Sequence, residues 1–187
     1  MTARRLDRII VIDVEATCWK GDPPPGECSE IIEIGLCELD VVTGKRFQPR
    51  AILIRPEHST LSPYCIKLTT LTPEMLEGGI SFAEACALLE DKYLTRQRTW
   101  ASWGDYDRLM FQSQCADLGF RYPFGQTHIN VKNLVALRLG LKREVGVQEG
   151  ARRMGLAFEG TIHRGVDDAW NIAAVLGRVL LDRPGQR

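Results

Sequence analysis

Asp13 and Glu15 interrupt the apolar run Ile9-Ile10-Val11-Ile12, placing two carboxylates where an interior strand would continue. Residues two apart on a strand point to the same face, so these carboxylates stand ~7 Å apart along it. Such a pair is costly in apolar surroundings unless positive charge sits between its members. A divalent cation supplies that charge, and an all-oxygen donor set suits Mg²⁺ or Mn²⁺. Further acids stand far away in the chain. Asp105 and Asp107 follow the apolar stretch ending in Trp103, and Asp167 and Asp168 lie just after His163. An imidazole with its ordinary pKa of ~6.5 can take a proton from water near neutrality.

Each of these residues also has a plainer reading. Aspartate is a good N-cap and favours the positive end of a helix, which would account for Asp105 alone. A histidine in a loop is commonly a surface residue. On a helix beginning near Val166, Asp168 shares a face with Asn171, Ile172 and Val175, the face turned to the interior, and there a carboxylate needs a partner. Asp167 points ~100° away and can be solvated.

The elements that must position these groups form an α/β pattern. Strands are expected at 9–14, at 30–42 and at 48–55, with a turn at Val42-Thr-Gly-Lys45 and a Pro/Gly-rich loop at 20–26. In the second strand Ile32, Ile34 and Leu36 alternate with Glu33, Gly35 and Cys37, the pattern of a half-covered strand. Three consecutive strands start the sheet antiparallel. Thr72 precedes Pro73 as an N-cap, and a helix follows over 82–94. A short strand at 99–103 leads to helices over 107–118, 131–139 and 148–154, closed by Gly119, Gly140 and Gly155. The last helix runs over 166–181 and stops before Pro184.

Composition limits the partners. The 187 residues suit one domain over 1–187, large enough to bury roughly 70% of its unfolded surface. Lys and Arg number 24, as do Asp and Glu, so a polyanion must be held by a local patch or by bound metal. The six cysteines (18, 28, 37, 65, 86 and 115) show neither C-x-x-C nor zinc spacing, which argues against a thiol redox enzyme and reads them as small buried hydrophobes. No leader-like segment and no apolar run of ~20 residues is seen, so a reduced, cytoplasmic setting without membrane contact is expected.

Together the segments resemble the DEDDh family of 3′-to-5′ exonucleases, and within it the Eri-type RNA-trimming enzymes. The resemblance is carried by Asp13-Val-Glu15-Ala-Thr-Cys18-Trp19, Glu30-Ile-Ile-Glu-Ile-Gly35, Leu61-Ser-Pro-Tyr-Cys65 with Leu68-Thr69, Trp103-Gly-Asp-Tyr-Asp107, and His163-Arg-Gly-Val-Asp-Asp168-Ala-Trp-Asn171, over about residues 8–181. It implies a ribonuclease H-like fold with a central mixed sheet flanked by helices. It implies a two-metal exonuclease releasing nucleoside 5′-monophosphates from the 3′ end of single-stranded RNA, with DNA as a further substrate. Asp13, Glu15 and Asp168 would hold one of two Mg²⁺ (or Mn²⁺), and Asp13 with Asp107 the second. His163 would be the general base. Ala16, Thr17, Tyr64, Leu68, Tyr106 and Arg164 would meet the substrate. The family position selects Asp107 over Asp105, and its H-x4-D spacing selects Asp168 over Asp167.

The residues agree with that role. Like charges ~4 Å apart cost roughly 4 kcal/mol per pair at an effective dielectric of 20, and two divalent ions relieve the repulsion. Arg152, Arg153, Arg164, Lys132, Lys142 and Arg143 are either backbone contacts or solvated surface. Tyr64 and Tyr106 either stack on bases or belong to the core. Two departures stand out: Thr70 occupies a position where the family has Gly, which bears on the terminal-nucleotide pocket, and Ile162 replaces the first of a histidine pair. A binding module without catalysis would be expected to lose a metal carboxylate. A ribonuclease H-like endonuclease would not require H-x4-D, and a DNA-preferring exonuclease would keep every feature named.

Overall fold

The computed structural model describes residues 4–182. Its centre is a five-stranded sheet made of β1 (Arg5–Ala16), β2 (Ile31–Asp40), β3 (Arg46–Leu53), β4 (Arg98–Ser102) and β5 (His128–Asn130), in the order β3-β2-β1-β4-β5. β1, β2 and β3 pair antiparallel, as expected, while β4 lies parallel to β1 and β5 parallel to β4. The helices are α1 (Pro63–Thr69), α2 (Pro73–Glu77), α3 (Phe82–Tyr93), α4 (Tyr106–Asp117), α5 (Val131–Arg138), α6 (Val147–Arg153) and α7 (Gly165–Leu181). This mixed sheet with helices on both faces is the ribonuclease H-like fold.

Alternation along β1 builds two cores. Ile10, Ile12 and Val14 pack with Phe82, Leu89, Trp100 and Phe111 beneath α3 and α4. Ile9 and Val11 pack with Val131, Ile172, Val175 and Leu176 beneath α5 and α7. Period 2 therefore carries Asp13 and Glu15 onto the face of Ile9 and Val11, where the apolar covering gives way to carboxylates.

β2 departs from expectation. It is buried from Ile31 through Leu39 on both faces and is not half covered. Its second face is closed by α7, which starts directly over Gly35. A Cβ at Gly35 would fall 1.8 Å from the Gly165 carbonyl carbon, so only hydrogen at both positions lets helix and strand meet. The register Asp13↔Gly35 and Glu15↔Glu33 fixes what lies beside that crossing.

Local capping follows the sequence. Thr72 accepts from the Met75 N–H at the start of α2, and Ser81 with Glu84 forms a capping box on α3. Ser62 caps α1, a helix that the periodicity of its seven residues does not announce. β5 was equally silent, since three residues carry no pattern. Thr70 ends α1 at φ 62°, a left-handed conformation that suits glycine. The departure at Thr70 thus bears on the backbone of a helix terminus. No helix among the described residues is long and apolar enough to cross a membrane.

Candidate metal and nuclease centre

The C-terminal end of β1 runs on past its pairing with β4, which ends at Val11↔Ala101, and the bundle of acids collects there. Asp13, Glu15 and Asp168 each offer an oxygen within 4.8 Å of the others. Asp13 is half-buried, while Glu15 and Asp168 are buried at the base of a cleft of about 490 Å³. Asp107, also buried, lines the same cleft from the first turn of α4. Its Oδ1 accepts the Val14 N–H at 2.9 Å, which pins α4 to β1 between the two acids of that strand. Asp105, by contrast, sits at the N-cap position without capping. Its side chain pairs with Arg108 at 2.9 Å and accepts from Asn130 Nδ2 at 3.2 Å, so neither the capping nor the metal reading applies to it.

Crowding and burial make these carboxyls unwilling to ionise. Burial, then repulsion from Asp107 and Asp168, holds Asp13 well above the usual carboxylate range. Burial, then Asp168 and Glu33, pushes Glu15 up to about 8. Burial raises Asp168 to about 7 against the opposing His163 N–H, and Asp107 to about 6 against the Val14 N–H. The Arg164 guanidinium opposes this shift at Glu15. Such a set is short of positive charge, and oxygen donors this close fit a hard divalent cation.

His163 lines the cleft from the loop before α7, exposed and at φ 61°. Side chains of α7 hold that loop step by step. Asn171 Nδ2 donates to the Glu159 carbonyl at 2.8 Å, Asp167 Oδ2 accepts the Thr161 N–H at 2.8 Å, and Asp168 Oδ2 accepts the His163 N–H at 2.7 Å. Asp167 is therefore a fastener of the loop and is only partly solvated.

Of the residues expected to meet substrate, Ala16, Leu68 and Tyr106 line the cleft. Tyr106 is 54% exposed, and its hydroxyl is pushed up to about 12, by burial first and then by Asp107 and Glu15, so it reaches toward the acids. Thr17 is fully buried, with its hydroxyl donating to the Cys28 carbonyl and accepting the Glu30 N–H, which makes it a fastener of the 28–30 segment. Tyr64 is exposed but outside the residues lining the cleft. Arg164 is not a free cation, because its Nε donates to Glu33 at 3.2 Å. Lys132 pairs with Glu144, and Arg152 and Arg153 both pair with Glu149, leaving Lys142 and Arg143 without an ion pair among the described residues. The cysteines are free, with four buried, Cys18 half-buried and Cys28 exposed, so the buried-hydrophobe expectation fails at those two.

Three residues named in the sequence analysis were given no role there in the site. Glu33 is fully buried beside Glu15, and its signal was a carboxylate inside an apolar strand. Trp103 donates to the Val145 carbonyl at 3.0 Å and lies against Gly150, bringing Gly146 and Val147 round as the far wall of the cleft. Ile162, standing where the family has a histidine, also lines it.

Comparison with known proteins agrees with this geometry. The family model described as an exonuclease, RNase_T, matches residues 10–176. The 3′-5′ exonuclease Snipper of Drosophila melanogaster is 28% identical across 93% of this chain and 69% of its own length. The 3′-5′ exoribonuclease 1 of Homo sapiens is 30% identical across 94% of this chain, but the chain spans only 53% of that protein. The crystallographic nuclease domain of 3′hExo, a DEDDh family member bound to rAMP, superposes with a TM-score of 0.82 at 27% identity, covering 96% of this chain and 94% of that domain.

Proposed function

Because the chain belongs to the RNase_T exonuclease family, with 3′-5′ exoribonucleases among its relatives, we propose that it hydrolyses single-stranded RNA from the 3′ end, releasing nucleoside 5′-monophosphates. The observation that carries this reading is one cleft holding the oxygens of Asp13, Glu15 and Asp168 within 4.8 Å, with Asp107 and His163 on its walls.

In this reading Asp13, Glu15, Asp107 and Asp168 hold two Mg²⁺ or Mn²⁺ ions. When bound, such a pair neutralises phosphate charge and stabilises the attacking and leaving oxygens of a phosphodiester displacement. The chain's own groups do the rest. His163 takes a proton from the attacking water onto a ring nitrogen, the new O–P bond forms, and the bond from phosphorus to the 3′ oxygen of the preceding nucleotide breaks, that oxygen taking a proton from solvent water to leave as the new 3′ hydroxyl. The exposed ring of Tyr106 and the side chain of Leu68 offer the terminal base a stacking and apolar surface. Lys142 and Arg143, near the wall formed by Gly146 and Val147, meet the phosphates upstream. Arg164 is assigned to the loop and Thr17 to the scaffold. Six cysteines free of disulfides support a reducing, cytoplasmic setting.

RNA is favoured over DNA because 3′-5′ exoribonuclease 1 is among the relatives and the 3′hExo domain holds a ribonucleotide. A silent binding module is disfavoured because no carboxylate of the set is missing. The test uses 5′-labelled single-stranded RNA and matched DNA with Mg²⁺. A one-nucleotide ladder, faster on RNA and lost with chelator or in His163→Ala, is the expected result. Internal cuts, or binding without cleavage, would overturn the reading.

A further inference from the structure

Glu33 is the acid that the metal set leaves over. It stands opposite Glu15 in the β1–β2 register and is 0% exposed. There it adds to the repulsion felt by Asp13, Glu15 and Asp168. A buried carboxylate so placed weakens the fold unless it is matched by donors. Its Oε2 does have two: Arg164 Nε at 3.2 Å and the Gly165 N–H at 3.3 Å. Its Oε1 has none among the described residues.

Those donors immediately follow His163. The approach that brings them is built by Gly35, two residues after Glu33 on the same face, where α7 meets β2 with no side chain between. His163 itself is in the left-handed region, and its N–H is held by Asp168 at 2.7 Å. Its ring makes no hydrogen bond to the described residues, so the orientation of the imidazole is inherited from the backbone on either side. One side is fastened to α7 through Asp168. The other is fastened to the sheet through Glu33.

We infer that Glu33 is the positioning residue of the general base: with Arg164 and the Gly165 N–H it clamps the His163 loop to β2. The inference rests on the assignment of His163 as the base. An imidazole displaced by ~1 Å can cost ~10²-fold in rate, so the clamp should act on the chemical step and leave substrate binding alone.

The experiment is a double-mutant cycle on the full chain with 5′-labelled RNA, read as steady-state kcat and KM. Glu33→Gln is expected to lower kcat ~10–100-fold, with KM and the half-saturating Mg²⁺ concentration within ~2-fold of the parent. In the His163→Ala background the same change is expected to lower the rate less than ~2-fold, because no base remains to be positioned. Arg164→Lys, which keeps the charge, should retain more kcat than Arg164→Met, and this second pair serves if Glu33→Gln does not fold. A full additional loss in the His163→Ala background, or a loss carried by KM or by the Mg²⁺ requirement, overturns the clamp. His163→Ala with parental activity would instead sink the base assignment, a separate failure visible in the single variant.

Discussion

Removing one charge from the acidic cluster should strengthen the fold while it ends metal binding. Glu15 is 8% exposed, and its carboxyl is carried from an ordinary 4.5 up to about 8, first by burial and then by Asp168. A raised carboxyl favours the folded state below its unfolded pKa, and that advantage is lost as pH climbs toward the folded value. The chelator-treated protein therefore loses stability between about pH 4 and about pH 8. At about pH 7 the displaced titration of Glu15 alone corresponds to ~3 kcal/mol. Glu15→Gln keeps the size and removes the titration, so the metal-free variant is expected to melt about 6–12 °C above the metal-free parent at pH 7. Near pH 4 the difference should vanish, since the parent carboxyl is then protonated as well. The parent should gain ~2.7 kcal/mol at Mg²⁺ or Mn²⁺ concentrations of ~100 Kd, and Glu15→Gln should lose most of that gain. Thermal denaturation across pH, with and without metal, measures all three. A variant no more stable than the parent at pH 7, or equally displaced at both pH values, would refute the claim that burial and carboxylate crowding strain the cleft.

Other expectations follow from particular contacts. Asp107→Asn retains an oxygen for the Val14 N–H and removes a carboxyl that burial raises to about 6, so without metal it should melt no lower than the parent at pH 7 while RNA hydrolysis falls at least ~10²-fold; an active Asp107→Asn would remove that residue from the metal set. Thr70→Gly relieves a β-branched residue at φ 62° and should stabilise the fold by ~1 kcal/mol, read as an increase of about 2–4 °C, with RNA hydrolysis unchanged. Lys142→Ala with Arg143→Ala should reduce the slope of log KM against log salt by ~1–2 on single-stranded RNA, leaving kcat near parental; an unaltered slope would place the phosphates elsewhere.

Much of the molecule could be read from residues alone, because the signals are local. The run 9–12 broken by Asp13 and Glu15 announced a buried strand with a charged end. Thr72 was legible as a cap because it closes its own helix, while the equally local capping box of Ser81 and Glu84 went unread. The proposed metal residues came from the family resemblance, and three of them, Asp13, Glu15 and Asp168, each offer an oxygen within 4.8 Å of the others. The roles of Thr17, Arg164 and Asp167 were not legible, since a hydroxyl, a guanidinium or a carboxylate takes its meaning from its partner. Those partners lie at Cys28, Glu33 and Thr161.

The sequence by itself determined which face of β1 turns acidic, because alternation along a strand is covalent geometry. It also set the spacing between His163 and Asp168, which one turn of helix and its entry loop fix. Only the tertiary structure decided that α7 would cross β2 at Gly35 closely enough to set Glu33 against Arg164. That contact joins positions 131 residues apart, and no periodicity spans such a distance. It depends on two hydrogen atoms where any side chain would hold helix and sheet apart.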